Sequence, residues 1–160
     1  MFKFITVLSL ISLSMNSVFC QSHSEKIANL TKYFSELSES ELVFKLQYVK
    51  DKRTFILDIS NKDDKIIYKF LEEDINDEAI FFDENEKGLT LKILSIDNGH
   101  RLIFTKIRNN IKLSNTVRLI EIKGINPKRK EILIEFINSF RSYRKSLIKH
   151  EDEEIIEIRD

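Results

Sequence analysis

Residue types that carry out chemistry are sparse in this chain of 160 residues. The three histidines, His23, His100 and His150, are far apart, and none has the HxH or HxxxH spacing that brings two imidazoles to one metal ion. With only three glycines, the chain has neither a GxSxG nucleophile turn nor a glycine-rich phosphate loop. We therefore predict a non-catalytic protein without a metal or a cofactor.

Acidic residues form three groups, at 72–77, 83–86 and 151–154. Paired carboxylates can serve acid–base catalysis or bind Ca²⁺, but the ligand spacing of an EF-hand is absent, and such groups are typical of solvated turns. A hydrolase with an unrecognised site is an alternative. It requires a histidine or a carboxylate pair within hydrogen-bond reach in a cleft, and His100 and His150 are its best candidates.

Basic residues are concentrated on one predicted helix near the C-terminus. Six of them are candidates for contact with an anionic surface: Lys128, Arg129, Lys130, Arg141, Lys145 and Lys149. Glu131 and Glu135 lie among them, so an ordinary solvated helix exterior is the other interpretation. Lys+Arg and Asp+Glu are each 26, and no aromatic residue alternates with the lysines. No nucleic-acid partner is therefore predicted.

The first twenty residues predict a secretory signal peptide. Lys3 supplies a positive charge, an apolar run follows from Phe4 to Met15, and a polar segment begins after Cys20. We predict cleavage after Cys20, which gives a secreted or periplasmic protein without a transmembrane span. The alternative is a lipoprotein acylated at Cys20, and Phe19 argues against it because the residue before a lipidated cysteine is normally small. Since Cys20 is the only cysteine, the mature protein must be stable without disulfides.

Two amphipathic helices are predicted, one on each side of the central region. The first spans residues 22–38, because Ser22 and Glu25 have the spacing of a capping box. The second begins at Asn126-Pro127, which combines an N-cap residue with a proline where its missing N–H is harmless. Its apolar stripe is wide enough to cover a sheet.

About seven short runs of alternating apolar and polar residues lie between the helices, from Glu41 to Lys123. Their hairpin spacing predicts antiparallel pairing, since no intervening helix is long enough for a parallel crossover. We predict that Arg108 to Asn115 is the longest irregular connection and that Thr116 to Lys123 is the last strand. An open sheet edge at Thr116 to Lys123, or at Ala79 to Asp83, is a candidate for strand addition by a partner.

The predicted fold class is α+β. An N-terminal helix precedes an antiparallel meander of about seven strands, a curved sheet or partly closed barrel, and a C-terminal amphipathic helix packs on the sheet. This element order, over about Glu41 to His150, resembles the pleckstrin-homology superfold, although the chain has no tryptophan for the position usual in its terminal helix. The resemblance implies a fold and no activity. The predicted divisions are a signal peptide at 1–20, one domain at 21–150 and an acidic tail at 151–160.

The leading hypothesis is an exported, non-catalytic domain that binds a protein or an envelope component. A second hypothesis is a carrier of a small apolar ligand, because a barrel-like sheet can enclose a cavity. That cavity would be lined by five aromatic residues: Phe44, Phe55, Tyr68, Phe70 and Phe104. The hydrolase is the third hypothesis.

Overall fold

The structure is a computed structural model that describes residues 22–96 and 102–157, without the side chains of 76, 77 and 148–157. The described residues contain two α-helices, α1 at His23–Glu36 and α2 at Lys130–Glu157. The strands are β1 Val43–Val49, β2 Thr54–Ser60, β3 Asp64–Leu71, β4 Ile75–Asn85, β5 Gly88–Ser95, β6 Leu102–Arg108, β7 Ile111–Val117 and β8 Leu119–Ile125. Short 3-10 turns lie at Lys50–Lys52, Glu72–Asp74 and Pro127–Arg129. The predicted signal peptide, Cys20 and His100 lie outside the described residues.

The strands form two antiparallel sheets. The large sheet has the order β1-β2-β3-β6-β7, and the small sheet has the order β4-β5-β8. The β4–β5 hairpin leaves the large sheet after β3, and the chain returns to the small sheet through Arg118, between β7 and β8. The predicted α+β class, with antiparallel strands and a terminal helix packed on a sheet, is confirmed. The described strands form two sheets instead of one continuous meander, and they do not close into a barrel.

The prediction of a long irregular connection from Arg108 to Asn115 is wrong. Asn109 and Asn110 have φ of 49° and 64° and form a two-residue turn, so β7 begins at Ile111. Asparagine tolerates left-handed backbone conformations, and two successive ones form the turn that matches the twist of a hairpin.

The predicted strand from Thr116 to Lys123 is divided between the two sheets. Thr116 pairs with Ile103 in the large sheet, whereas β8 begins at Leu119 in the small sheet. Gly124 lies within β8 with a φ of 77° and does not end it. The strand predicted at Ala79 to Asp83 extends in both directions, to the bounds of β4.

Both predicted helix starts are confirmed. The Ser22 hydroxyl accepts the Glu25 N–H at 3.3 Å, and the Glu25 carboxylate accepts the Ser22 N–H at 2.9 Å. Asn126 accepts the Lys128 N–H at 2.9 Å and begins the 3-10 turn that leads into α2. These bonds satisfy backbone donors that the first turn of a helix leaves without partners.

The core lies between α2 and the inner face of the large sheet, the face that carries Phe55 and Phe70. The Phe140 ring centroid lies 5.3 Å from that of Phe55 and 6.5 Å from that of Phe70. The buried apolar and aromatic residues of α2 lie on the predicted stripe: Leu133, Phe136, Ile137, Phe140 and Tyr143. Their burial contributes on the order of 10 kcal/mol before entropy costs. Neither described helix combines the length and the apolar character needed to cross a bilayer.

Candidate functional site

Four strands lie at sheet edges, and on three of them a side chain from another element occupies a backbone group of the strand. The Ser38 hydroxyl accepts the Phe44 N–H of β1 at 2.9 Å and donates to the Phe44 carbonyl at 3.3 Å. On β4, the guanidinium of Arg141 donates to the Ile80 carbonyl at 2.6 Å. The Tyr68 hydroxyl donates to a β8 carbonyl, that of Glu121, at 3.2 Å. Such contacts occupy backbone groups that another strand would otherwise pair with.

The fourth edge, β7, projects from the protein. Residues 111–116 are all exposed, and the side chains of Ile111 and Leu113 are 65% and 66% exposed. The two-residue turn makes Arg108–Ile111 the first hydrogen-bonded pair of the β6–β7 hairpin. Hydrogen-bonded and non-hydrogen-bonded pairs alternate along an antiparallel ladder, so the N–H and C=O groups of Lys112 and Ser114 point away from β6. No hydrogen bond joins these outward groups to another element in the part of the chain that the structure describes.

The open edge ends near Thr116. The Thr116 N–H donates to the side-chain oxygen of the preceding residue, Asn115, at 2.8 Å. The accessible backbone therefore runs from Ile111 to Ser114. Two edges were predicted for strand addition. The edge at Ala79 to Asp83 lies in β4, beside the Arg141 contact, and the edge at Thr116 to Lys123 includes only the end of β7.

A buried carboxylate forms a second candidate site. Glu72 is 1% exposed and accepts hydrogen bonds from the Tyr48 hydroxyl at 2.8 Å, from the Tyr143 hydroxyl and from Arg53 Nε. Arg53 follows the first 3-10 turn in a left-handed conformation, with a φ of 46°. His23 Nε2 lies 3.4 Å from the Tyr143 hydroxyl oxygen. The site thus joins the start of α1, the β1–β2 hairpin, the second 3-10 turn and α2.

Hydrogen bonding determines the charge state of this site. Burial alone raises the pKa of Glu72, but hydrogen bonds from Tyr143, Tyr48 and Arg53, together with the Arg53 charge, hold it below its ordinary value. Burial and then the hydrogen bond to Glu72 raise the pKa of Tyr143 far above the usual range. At neutral pH the site therefore contains an ionised carboxylate and neutral tyrosines that donate to it.

Both oxygens of Glu72 are occupied by donors from this chain. A carboxylate in this state holds elements together and is poorly placed to accept a proton from a substrate. The site was not predicted from the sequence, because its members are distant in the chain and form no motif. His23 takes part as the first residue of α1. The side chain of His150 lies outside the described residues, so the hydrolase stays a prediction.

The predicted basic residues are partly engaged by the protein itself. Lys130 Nζ lies 2.5 Å from a Glu84 carboxylate oxygen, and Arg129 donates to the Ser38 carbonyl at 3.4 Å. Arg141 donates to the Ile80 carbonyl of β4. Lys128 and Lys145 are exposed, and the side chain of Lys149 lies outside the described residues. Contact with an anionic surface through these six residues stays a prediction.

The five aromatic residues predicted to line a ligand cavity all lie on the inner face of the large sheet. The Phe55 and Phe70 centroids are 5.7 Å apart, and the Tyr68 and Phe104 centroids are 5.4 Å apart. Phe44 packs edge-on against α1. A ligand placed among these rings would have to displace such contacts, and the carrier hypothesis stays a prediction.

Comparisons of the sequence with protein-family models and with curated proteins, and of the structure with solved structures, found no match. The function is therefore inferred from the chemistry of the sites alone.

Proposed function

We propose that the protein is an exported, non-catalytic domain that binds an extended segment of another protein along β7. The observation that carries the proposal is the exposure of β7 on both faces, whereas on each of the other three edge strands a distant side chain occupies a backbone carbonyl. The segment pairs with the outward backbone groups of Lys112 and Ser114 and adds a strand to the large sheet.

The side chains around β7 favour a particular kind of segment. Ile111 and Leu113 lie on one face of the strand and offer apolar contacts at alternate positions. Lys112 lies on the opposite face of the strand, and the other basic residues of the hairpin, Lys106 and Arg108, lie 3.3 and 3.5 Å from the Asp64 carboxylate of β3. The expected partner therefore has apolar residues at every second position and acidic residues between them. Pairing with β7 of a second copy is disfavoured, since it would bring the Lys112 side chains together.

Export is supported by the charge and apolar pattern of residues 1–20. We expect the intact mass of the native protein, isolated from the cells that produce it, to correspond to a chain that begins at Gln21. A mass that includes Met1 would contradict export through this segment. A mass that includes a lipid on Cys20 would support the lipoprotein alternative.

Strand addition is tested with a ten-residue peptide that alternates valine and glutamate. We expect Ser114→Pro to weaken its binding by at least about tenfold, because proline lacks the outward N–H and its ring blocks the edge. Pairing with β6 does not use that N–H, so the hairpin should persist. Binding is measured by titration calorimetry, and the thermal unfolding of each variant is recorded beside it.

The matched control is Ser114→Ala. It removes the hydroxyl contact with Thr105, which is 2.8 Å long, but keeps the backbone N–H. Its affinity should stay within about twofold of the native value, since an exposed substitution has a small effect. A folded Ser114→Pro variant that binds the peptide as tightly as the native protein would exclude strand addition at β7.

A further inference from the structure

The outer face of the large sheet carries an apolar patch. The register places Ile67 of β3 at its centre, with Ile56 on β2 and Ile103 and Ile107 on β6 at diagonal positions. We call these four residues the isoleucine patch. Ile103 is 42% exposed and the other three are partly exposed. An open face of an antiparallel sheet is usually polar, so a cluster of this kind marks an interaction surface.

Lysines surround the isoleucine patch. The register places them beside its members or one strand further out: Lys45, Lys65, Lys69 and Lys112. Asp58 is the acidic residue of the described outer face, and its carboxylate lies 2.5 Å from Lys65 Nζ. An apolar centre with a basic rim complements a surface that combines apolar and acidic side chains.

The chain itself contains a segment with this chemistry. Residues 148–160 include four isoleucines and six carboxylate side chains against two basic ones. Within one molecule, the helix that leads into this segment packs on the inner face of the sheet, opposite the isoleucine patch. That helix is α2, which packs through Phe140 and stays helical to Glu157.

We propose that residues 148–160 of one copy bind the isoleucine patch of a second copy. The isoleucines of the segment cover the patch, and its carboxylates pair with the surrounding lysines. The surfaces that meet are different, so the contact is heterologous and either closes into a small ring or continues into a chain of copies. This self-association uses the outer face of the sheet and does not depend on strand addition at β7.

The experiment is sedimentation equilibrium of the full mature chain. We expect the average mass to rise with protein concentration up to about 100 µM and to fall when salt is added, because charge pairs at an interface are screened. The patch variant Lys45→Glu/Lys69→Glu and the tail variant Glu153→Lys/Glu154→Lys should each associate at least about tenfold more weakly.

The decisive sample contains both pairs of substitutions, which exchange the charges of the two surfaces. We expect it to regain the self-association that each pair abolishes, a result that misfolding cannot produce. Ile103→Lys should weaken association, whereas Ser114→Pro should leave it unchanged. The proposal is overturned if the native chain stays monomeric at low salt, if the tail variant associates like the native chain, or if the combined exchange fails to restore association.

Discussion

A buried carboxylate is costly unless charged or polar donors surround it. Glu72 receives such donors from the β1–β2 hairpin and from α2, while its own backbone belongs to the turn after β3. The ring of Tyr143 also lies 5.5 Å from that of Phe55, so the polar site is continuous with the aromatic core. A single side chain therefore connects elements that the local sequence does not bring together.

Replacement of Glu72 by glutamine should lower the free energy of unfolding by about 2–4 kcal/mol, because three donors lose a charged acceptor in a buried place. The adjacent Glu73 is exposed, and Glu73→Gln should change the same quantity by less than about 0.5 kcal/mol. Urea unfolding followed by circular dichroism measures both. Equal effects of the two substitutions would show that the hydrogen bonds to Glu72 do not stabilise the fold.

The Glu72→Gln variant also isolates the contribution of Glu72 to the pH dependence of the unfolding free energy. Since folding lowers the pKa of Glu72 below its ordinary value of 4.5, the unfolded chain binds a proton before the folded protein does. The stability from this site is thus fully present above pH 4.5 and is lost as the pH falls through the folded pKa. We expect Glu72→Gln to have a shallower loss of stability in acid than Glu73→Gln, as measured by urea unfolding between pH 6 and pH 3.

At the scale of elements, three sheet edges depend on single side chains of distant segments. Ser38 follows α1, Arg141 is in α2 and Tyr68 is in the opposite sheet. Each occupies a carbonyl of an edge strand. Strand edges without such contacts are prone to pair with other chains. Side chains from a helix, from the segment after a helix and from the opposite sheet therefore restrict where another strand can be added.

Two glycines provide a matched test of the small sheet. Gly88 begins β5 with a φ of 115°, and a Cβ there would lie 2.8 Å from the Ile125 carbonyl oxygen. Gly124 has a φ of 77°, but a Cβ there would have open space around it. We expect Gly124→Ala to cost about 1–2 kcal/mol from backbone strain alone and Gly88→Ala to cost at least about 3 kcal/mol. Urea unfolding measures both, and similar costs would exclude a close backbone approach at Gly88.

At the scale of the whole molecule, local patterns predicted much of the fold. The capping pair Ser22 and Glu25, the Asn126-Pro127 start and the apolar stripe of α2 each depend on residues within a few turns of helix. Alternation likewise identified strands whose inner side chains are buried, such as Phe55 in β2 and Leu91 in β5. These features were predictable because a local preference and the burial of one face agree.

Two features could not be predicted from local patterns. β7 is exposed on both faces, so no burial imposes an alternation on its sequence, and its asparagine turn lacks the glycine that usually marks a hairpin. The Glu72 site joins residues as far apart as His23 and Tyr143, which only the tertiary fold brings together. The order of strands in the two sheets has the same origin, because the pairing of β3 with β6 leaves no local signal.

Arg118 is the single residue between β7 and β8, and its carbonyl accepts the Ser95 N–H at 3.0 Å. Force applied to β7 would therefore pass directly to β8, because a single residue links the two strands. Because the ladder bonds lie across the strands, a pull along β8 would load its bonds to β5 together in shear instead of unzipping them in sequence. A partner that pulls on the open edge would thus load the bonds between β5 and β8 together.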